Sequence, residues 1–275
     1  MNRDFGRAKY FLTATALIFF AVVVFAMPAV AEEYVSSPQI PSELTDKSDT
    51  YQAKFASEIS TAVEEDNPVI RNYARMRVDV MNSGPNYTVA KACDMYDYVN
   101  LRWQILSEPR GPFHVASATE TIRSGLRGSG DDYSAFLSSL IGSLDGDMRI
   151  IISISPDYEY HIFPEVFIGS GEDEVMDNLR YVAGRYGCDK VWYTKDTTGG
   201  VNAYWLNLDW VVDGMHTADY YRYGNSLFEI NTYHPGRSYI STGTVTIVYP
   251  DGKWKDTTLK HGYYQKVKGV EKLYE

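Results

Sequence analysis

The amino-terminal half of the chain places apolar residues at helical spacing. The clearest stripe recurs at i, i+3/i+4 and i+7/i+8, in Phe136, Leu137, Leu140, Ile141 and Leu144. Such a stripe predicts a helix packed on a hydrophobic core. Ser117-Ala118-Thr119-Glu120 has the pattern of a capping box, which predicts a short helix ending near Gly125. Asn67-Pro68 separates two earlier predicted helices, and Gly84-Pro85-Asn86 precedes a third.

The hydrophobic period changes after the central helix and becomes typical of strands. Runs of β-branched and aromatic residues predict strands, and Pro250-Asp251-Gly252 predicts the turn of a hairpin. The predicted strands are Met148–Ile154, Tyr160–Ile168, Lys190–Tyr193, Ala203–Asp209, Thr244–Tyr249 and Trp254–Leu259, with a helix over residues 174–186 among them. Helices first and mostly antiparallel strands afterwards predict an α+β fold.

Residues 1–31 have the three parts of an export signal. Basic residues precede an apolar run, Phe11–Met27, and the small-residue site Ala29-Val30-Ala31 follows it. This pattern predicts cleavage before Glu32. The run is also near the lower length limit for spanning a bilayer, so an uncleaved anchor is the alternative. In both cases the following domain is predicted to be extracytoplasmic, secreted or anchored, with membrane contact only through this segment.

The rest of the sequence predicts one large domain with a helical extension before it. Residues 32–50 have the serine- and proline-rich composition of a linker. Residues 51–85 hold the two helices around Asn67-Pro68, and residues 86–275 hold the α+β domain with its carboxy-terminal hairpin. Asn86 begins an Asn-Tyr-Thr glycosylation acceptor, whose use depends on the host.

Composition narrows the classes of ligand. The net charge of −10 argues against nucleic acid and anionic membranes as partners, because both repel an acidic surface. The histidines do not stand at zinc-finger, ribbon or His-x-x-x-His spacing, so no metal or cofactor is predicted. Cys93 and Cys188 permit one disulfide in an exported protein. Cys93 also lies on the apolar face of its predicted helix, as a small buried hydrophobe would.

A polar turn flanked by glycines leads into the central predicted helix. Its sequence is Gly128-Ser129-Gly130-Asp131-Asp132-Tyr133. Asp131 and Asp132 fall in the first helical turn, where the helix dipole favours negative charge. A helix start of this kind is expected to present backbone N–H groups to whatever lies in front of it.

Three segments, taken in order, resemble the transglutaminase-like (papain-like) superfamily. The helix start resembles the nucleophile motif Gly-x-Cys-[Asp/Glu]-[Asp/Asn]-[Tyr/Phe], with Gly130 at the cysteine position. Tyr160–Ile168 resembles the segment Gly-His-Ala-Trp-x-Glu-Val-Tyr, and Tyr204–Trp210 resembles the segment that supplies an aspartate. The resemblance covers residues 88–212 and implies that the nucleophile-position helix packs on an antiparallel sheet.

The resemblance also implies roles for individual residues. In an active member a cysteine thiolate attacks a carbonyl, a histidine acts as base, and an aspartate orients that histidine. His161 and Asp209 are implied as base and orienter. Because Gly130 has no sulfur, we expect a vestigial dyad in a pseudoenzyme, a non-catalytic module that binds an extracellular peptide or protein, for example one of the cell envelope.

Substitution of the nucleophile is the alternative. Ser129 or Ser134 could replace the thiol in an active hydrolase or acyltransferase, although a hydroxyl is not ionised at neutral pH and needs a base within hydrogen-bond reach. Ser129 also departs from the family pattern, in which an acidic residue is common at this position. Pro164 is a second departure, because it removes a donor from the strand that carries the histidine.

Each candidate residue also has a purely structural interpretation. Asp131 and Asp132 can serve only as first-turn acids, and Gly130 as a helix-start glycine. His161, taken alone, can be a hydrogen-bonded histidine of the core or its rim. Asp209 can satisfy backbone amides at the end of a strand.

Overall fold

A central helix packed on an eight-stranded antiparallel sheet organises the part of the chain that the computed structural model describes. That part comprises residues 48–79, 87–106, 114–154, 160–198, 201–209, 234–237 and 244–275. The helices are α1 (Ser48–Ala62), α2 (Pro68–Arg75), α3 (Val89–Asn100), α4 (Ala118–Ser124), α5 (Gly130–Gly142) and α6 (Glu172–Tyr186). The strands are β1 (Gln104–Ile105), β2 (Arg127–Gly128), β3 (Met148–Ile154), β4 (Tyr160–Gly169), β5 (Lys190–Thr198), β6 (Val201–Asn207), β7 (Thr244–Val248), β8 (Trp254–Thr258), β9 (Lys260–Val267) and β10 (Val270–Tyr274). The α+β class is therefore confirmed.

The large sheet has the strand order β10-β9-β5-β6-β4-β3-β7-β8, and every neighbouring pair is antiparallel. The predicted hairpin is confirmed as β7 and β8, with Gly252 in the left-handed region at φ 84°. Strands β1 and β2 form a separate parallel pair. The β3 and β4 strands pair in unbroken register from Met148 opposite Val166 to Ile154 opposite Tyr160.

Pro164 lies inside β4 without interrupting it. Its carbonyl accepts a hydrogen bond from the N–H of Leu208 at 2.9 Å, so its ring nitrogen also faces the β6 side. The β6 strand ends at Asn207, so the missing donor falls where that ladder stops. The loss of a donor at Pro164 therefore leaves β4 continuous, as the predicted strand Tyr160–Ile168 requires.

Helix α5 forms the centre of the core. The predicted apolar stripe is confirmed, with Phe136, Leu137, Leu140 and Ile141 completely buried and Leu144 nearly so. The predicted capping box of the short helix α4 is also present. Ser117 Oγ accepts a hydrogen bond from the N–H of Glu120, and the Glu120 carboxylate accepts one from the N–H of Ser117. Gly125 ends that helix at φ 85°.

Helices α1 and α2 share this core. Phe55 and Ile59 of α1 pack in one buried cluster with Ala135 of α5 and Ile150 of β3. Ile70 of α2 belongs to the larger cluster around α5. Helices α1 and α2 are therefore packed onto the sheet domain, and the described residues fall in one compact unit, Ile40–Glu275.

Several sequence predictions concern residues outside the described ones. These are the export segment 1–31, most of the linker 32–50, Asn86, and the boundary at residues 85 and 86. Helix α1 begins at Ser48, three residues inside the predicted linker. Within the described residues, no helix combines the length and the apolar character that crossing a bilayer requires.

Candidate functional site

His161 and Asp209 lie in direct contact. The Nε2 atom of His161 is 2.9 Å from both carboxylate oxygens of Asp209. His161 is near the start of β4, and Asp209 follows the end of the neighbouring strand β6. Both are buried, with 8% and 6% of their surface exposed. The structure thus brings together the two residues that the resemblance implies as base and orienter.

The side chains of Asn207 and Tyr96 hold the backbone of Asp209 in position. The side-chain oxygen of Asn207 accepts the N–H of Asp209 at 2.7 Å. Tyr96 of α3 donates its hydroxyl to the carbonyl of Asp209 at 3.2 Å. Tyr133, in the first turn of α5, is completely buried and donates its hydroxyl to Asn100 at 3.0 Å. Burial raises the pKa of Tyr133 well above its usual value, and the charges of Tyr96 and Asp209 add to this effect.

The contact with Asp209 determines how the imidazole can act. A carboxylate accepts hydrogen bonds, so Nε2 carries the proton that points at Asp209. In the neutral ring Nδ1 then bears the lone pair and is the basic nitrogen. The side chain lies on the sheet face of Phe163, with ring centroids 5.4 Å apart, whereas Ile162 packs on the other face with Ala135 of α5. The imidazole and the start of α5 can therefore meet only around the end of β4, and the approach of His161 to the Gly130 position, which the resemblance implies, stays a prediction.

The start of α5 is capped by its own side chains. Asp132 accepts the N–H of Ala116 at 2.6 Å and the N–H of Ser129 at 3.1 Å. Asp131 accepts the N–H of Asp132 at 2.9 Å and the hydroxyl of Ser129. Burial raises the pKa of Asp131, while the Ser129 hydroxyl opposes that shift. The backbone N–H groups of Ser129 and Asp132 are thus satisfied by side chains of the same turn.

The two candidate serines use their hydroxyls locally. Ser129 donates to Asp131, as described above, and Ser134 donates to the carbonyl of Gly130 at 2.7 Å. Ser134 is completely buried and also lies 3.3 Å from the carbonyl of Ile162, so it joins α5 to β4. Gly130 is the half-buried first residue of α5, and its helical backbone is one that any L-residue adopts.

Neither cysteine is placed as a nucleophile. Both are free thiols, so the possible disulfide is absent from the structure. Burial raises the pKa of Cys93 to about 12 and that of Cys188 to about 11. Cys188 Sγ lies 3.8 Å from Nδ1 of His234, but that nitrogen donates its proton to the carbonyl of Pro235 at 2.9 Å. It therefore cannot accept the proton of the thiol.

We expect the native protein to resist alkylation at neutral pH. The fraction of thiolate at pH 7.5 should lie at least about tenfold below that of an ordinary thiol with a pKa near 8.5, because both pKa values are raised. Iodoacetamide labelling of the folded protein, followed by mass spectrometry, measures this, with the urea-unfolded protein as control. Labelling of either native cysteine at the unfolded rate would contradict the burial described here.

A buried ion pair that the sequence did not predict lies on the same sheet face as His161. Arg149 donates its Nε–H to Glu165 at 2.8 Å, and an Nη2–H to Thr194 at 2.8 Å. Both charged side chains are completely buried, and the guanidinium lies 4.2 Å from the ring centroid of Trp205. The available signal was the single basic residue within the β-branched run of β3, since a buried arginine requires a partner.

Across the described ranges, no group of three or more histidine, cysteine, aspartate or glutamate side chains has a geometry that could hold a metal ion.

No family model, curated protein or solved structure matches this chain.

Proposed function

We propose that this chain is a transglutaminase-like domain that lacks the nucleophile and binds a peptide or protein outside the cytoplasm. The contact between His161 Nε2 and the Asp209 carboxylate at 2.9 Å carries the proposal. It joins two residues from separate sequence motifs at the ends of adjacent strands. The helix that packs on β4 begins at Gly130, the position of the third motif.

The proposal treats the site around His161 and Asp209 as a binding site because no thiol is placed there. An imidazole held by a carboxylate can accept a proton from a nucleophile, but Gly130 offers none. The sulfur atoms of Cys93 and Cys188 have raised pKa values and lie on other elements. The proposal therefore assigns the site to binding of a peptide or protein and not to catalysis.

A serine hydrolase or acyltransferase is the second candidate function, and one contact favours it. The hydroxyl of Ser129 donates to Asp131, a buried carboxylate whose pKa is raised by burial and which could accept a proton. A fluorophosphonate probe separates the two functions. The binding module should not be labelled, whereas labelling that disappears in Ser129→Ala would replace it with the hydrolase.

We predict that Gly130→Cys creates an activated thiol in a Cys93→Ala/Cys188→Ala background. The proposal requires His161 to reach this position around the end of β4, where its imidazolium would favour the thiolate and lower its pKa, while the carboxylates of Asp131 and Asp132 would oppose that effect. The expected net result is a thiol pKa about one unit below that of a helix-start cysteine without a histidine. The pH profile of iodoacetamide alkylation measures this difference.

The matched control is Gly171→Cys. Gly171 caps the start of α6, is exposed, has open space for a side chain, and also precedes acidic residues in the first turn. Adding His161→Ala to Gly130→Cys should raise the thiol pKa to the control value. If the two cysteines have equal alkylation profiles and His161→Ala leaves them unchanged, then His161 does not influence the Gly130 position. That result would remove the basis of the proposal.

A further inference from the structure

Two arginines lie over a pair of tyrosines where α2 and α3 end. The hydroxyls of Tyr73 and Tyr98 are 2.8 Å apart. The guanidinium carbon of Arg77 is 3.2 Å from the ring centroid of Tyr73 and 4.7 Å from that of Tyr98. The guanidinium carbon of Arg102 is 4.3 Å from the ring centroid of Tyr98. Both positive charges therefore lie close to one phenol.

These two arginines are held in place without an acidic partner in the described part of the chain. Arg77 donates an Nη1–H to the carbonyl of Tyr73, and Arg102 donates one to the carbonyl of Tyr98 at 3.2 Å. The buried Nε–H of Arg77 has no hydrogen-bond partner. By contrast, Arg180 and Arg185 each contact two carboxylates. Two guanidiniums that contact one phenol ring and have no acidic partner among the described residues are notable on a chain with a net charge of −10.

We propose that Arg77 and Arg102 form a binding site for the phosphate group of a ligand. Stacking on aromatic rings pre-organises a guanidinium, so fewer side-chain rotamers are lost when it binds. The guanidinium fork matches phosphate and carboxylate oxygens in bidentate geometry. Phosphate is favoured because its oxygens point in several directions and can engage two forks at once, whereas the two oxygens of a carboxylate lie in one plane.

The surroundings suggest that the ligand carries an apolar part. Met76 and Leu101, which precede the two arginines in sequence, are 75% and 79% exposed. Apolar side chains beside a cationic phosphate site suit a phospholipid headgroup, while free phosphate or a phosphomonoester needs only the guanidiniums. The site shares no residue with the His161 and Asp209 pair, so it stands independently of the function proposed above.

Tyr98 provides the readout for an experiment. Burial raises the pKa of Tyr98, but the hydrogen bond from Tyr73 and the guanidiniums of Arg77 and Arg102 outweigh burial and lower it below its usual value. A bound phosphate would cancel part of this positive field and so raise the pKa. Phenolate absorbance at 295 nm follows the titration, and the component that disappears in Tyr98→Phe belongs to this residue.

The experiment titrates the full chain in inorganic phosphate, in a soluble short-chain phosphatidylglycerol, and in sodium chloride at equal ionic strength. We expect phosphate or the diester to shift the Tyr98 step upward relative to chloride. Arg102→Gln should weaken the effect by about tenfold, and Arg102→Lys, which keeps the charge but loses the fork, by several-fold. Arg75→Gln, at an exposed arginine of α2, should leave it unchanged.

Each outcome decides the proposal. A shift at a lower concentration of the diester supports the site and assigns a lipid headgroup, and a shift at a lower concentration of phosphate supports it and assigns free phosphate or a monoester. The same Tyr98 step in all three solutions would overturn the proposal. So would an undiminished shift in Arg102→Gln and Arg102→Lys proteins whose near-ultraviolet circular dichroism shows that they are folded.

Discussion

Arg149→Met is expected to lower the free energy of unfolding at pH 7 by about 3–5 kcal/mol, the cost of removing one partner from a buried ion pair. Glu165 would then be a completely buried carboxylate without its counter-charge. Burial already raises the pKa of Glu165, and Arg149 opposes that shift. Without Arg149 the pKa should rise further, so the loss of stability should be small near pH 4 and grow as the pH rises through the new pKa.

Two controls sharpen this prediction. Arg180→Met removes an arginine that contacts two carboxylates but whose side chain is 48% exposed. This variant should lower the free energy of unfolding by at most about 1 kcal/mol. Arg149→Met/Glu165→Met removes both charges and should be more stable than Arg149→Met alone. Urea unfolding at several pH values measures all three variants. A loss in Arg149→Met no larger than that in Arg180→Met would show that the ion pair contributes little.

Gly236→Ala is expected to cost about 2–4 kcal/mol, from about 1 kcal/mol for the left-handed backbone and about 1–3 kcal/mol for overpacking. Gly236 has φ 70°, and a Cβ added there would lie 2.7 Å from the carbonyl oxygen of Trp192 and against Val191. Its N–H donates to the carbonyl of Asn207 at 2.7 Å, and its carbonyl accepts the N–H of Trp192 at 2.6 Å. The glycine thus bridges β5 and β6 where their own pairing begins.

The variant Gly252→Ala distinguishes the backbone cost from the overpacking cost. Gly252 has a similar φ of 84°, but the nearest atom to an added Cβ is Ser60 Oγ at 3.7 Å, so only the backbone cost of about 1 kcal/mol is expected. Thermal unfolding of both variants gives the comparison. In Gly236→Ala the displaced Asn207 should also loosen Asp209, which its side chain holds. If the two variants lost equal stability, the close contact between the added Cβ at Gly236 and the Trp192 carbonyl oxygen would be relieved without a cost in free energy.

The elements with strong periodicity could be predicted from the sequence. Helix α5 was identified by its apolar stripe, and the β7–β8 hairpin by its turn residues. Strands β9 and β10 were missed because their exposed lysines, such as Lys266 and Lys272, weaken the apolar alternation on which strand prediction depends. Strand β9 is positioned by pairing with β5, a contact between residues distant in the sequence, and β10 is positioned by pairing with β9.

The candidate site could be predicted only in part. The approach of His161 to Asp209 followed from motif order, because adjacent antiparallel strands bring the two positions together. The partners of Asp132 did not follow, since Ala116 reaches it from a separate segment. Arg149 was missed because single-sequence patterns show which residues are buried more readily than how a buried charge is compensated.

The capped start of α5 affects which ligand groups can approach the candidate site. Negative carboxylates stand where bare amides would otherwise attract an anion, and the function proposed above would bring Asp209 to the same site as a third carboxylate. An acidic side chain or free carboxyl terminus of a ligand would therefore be repelled, while a lysine or arginine side chain would be attracted. Selectivity for basic segments would follow from the side chains that cap the helix, without any dedicated specificity pocket.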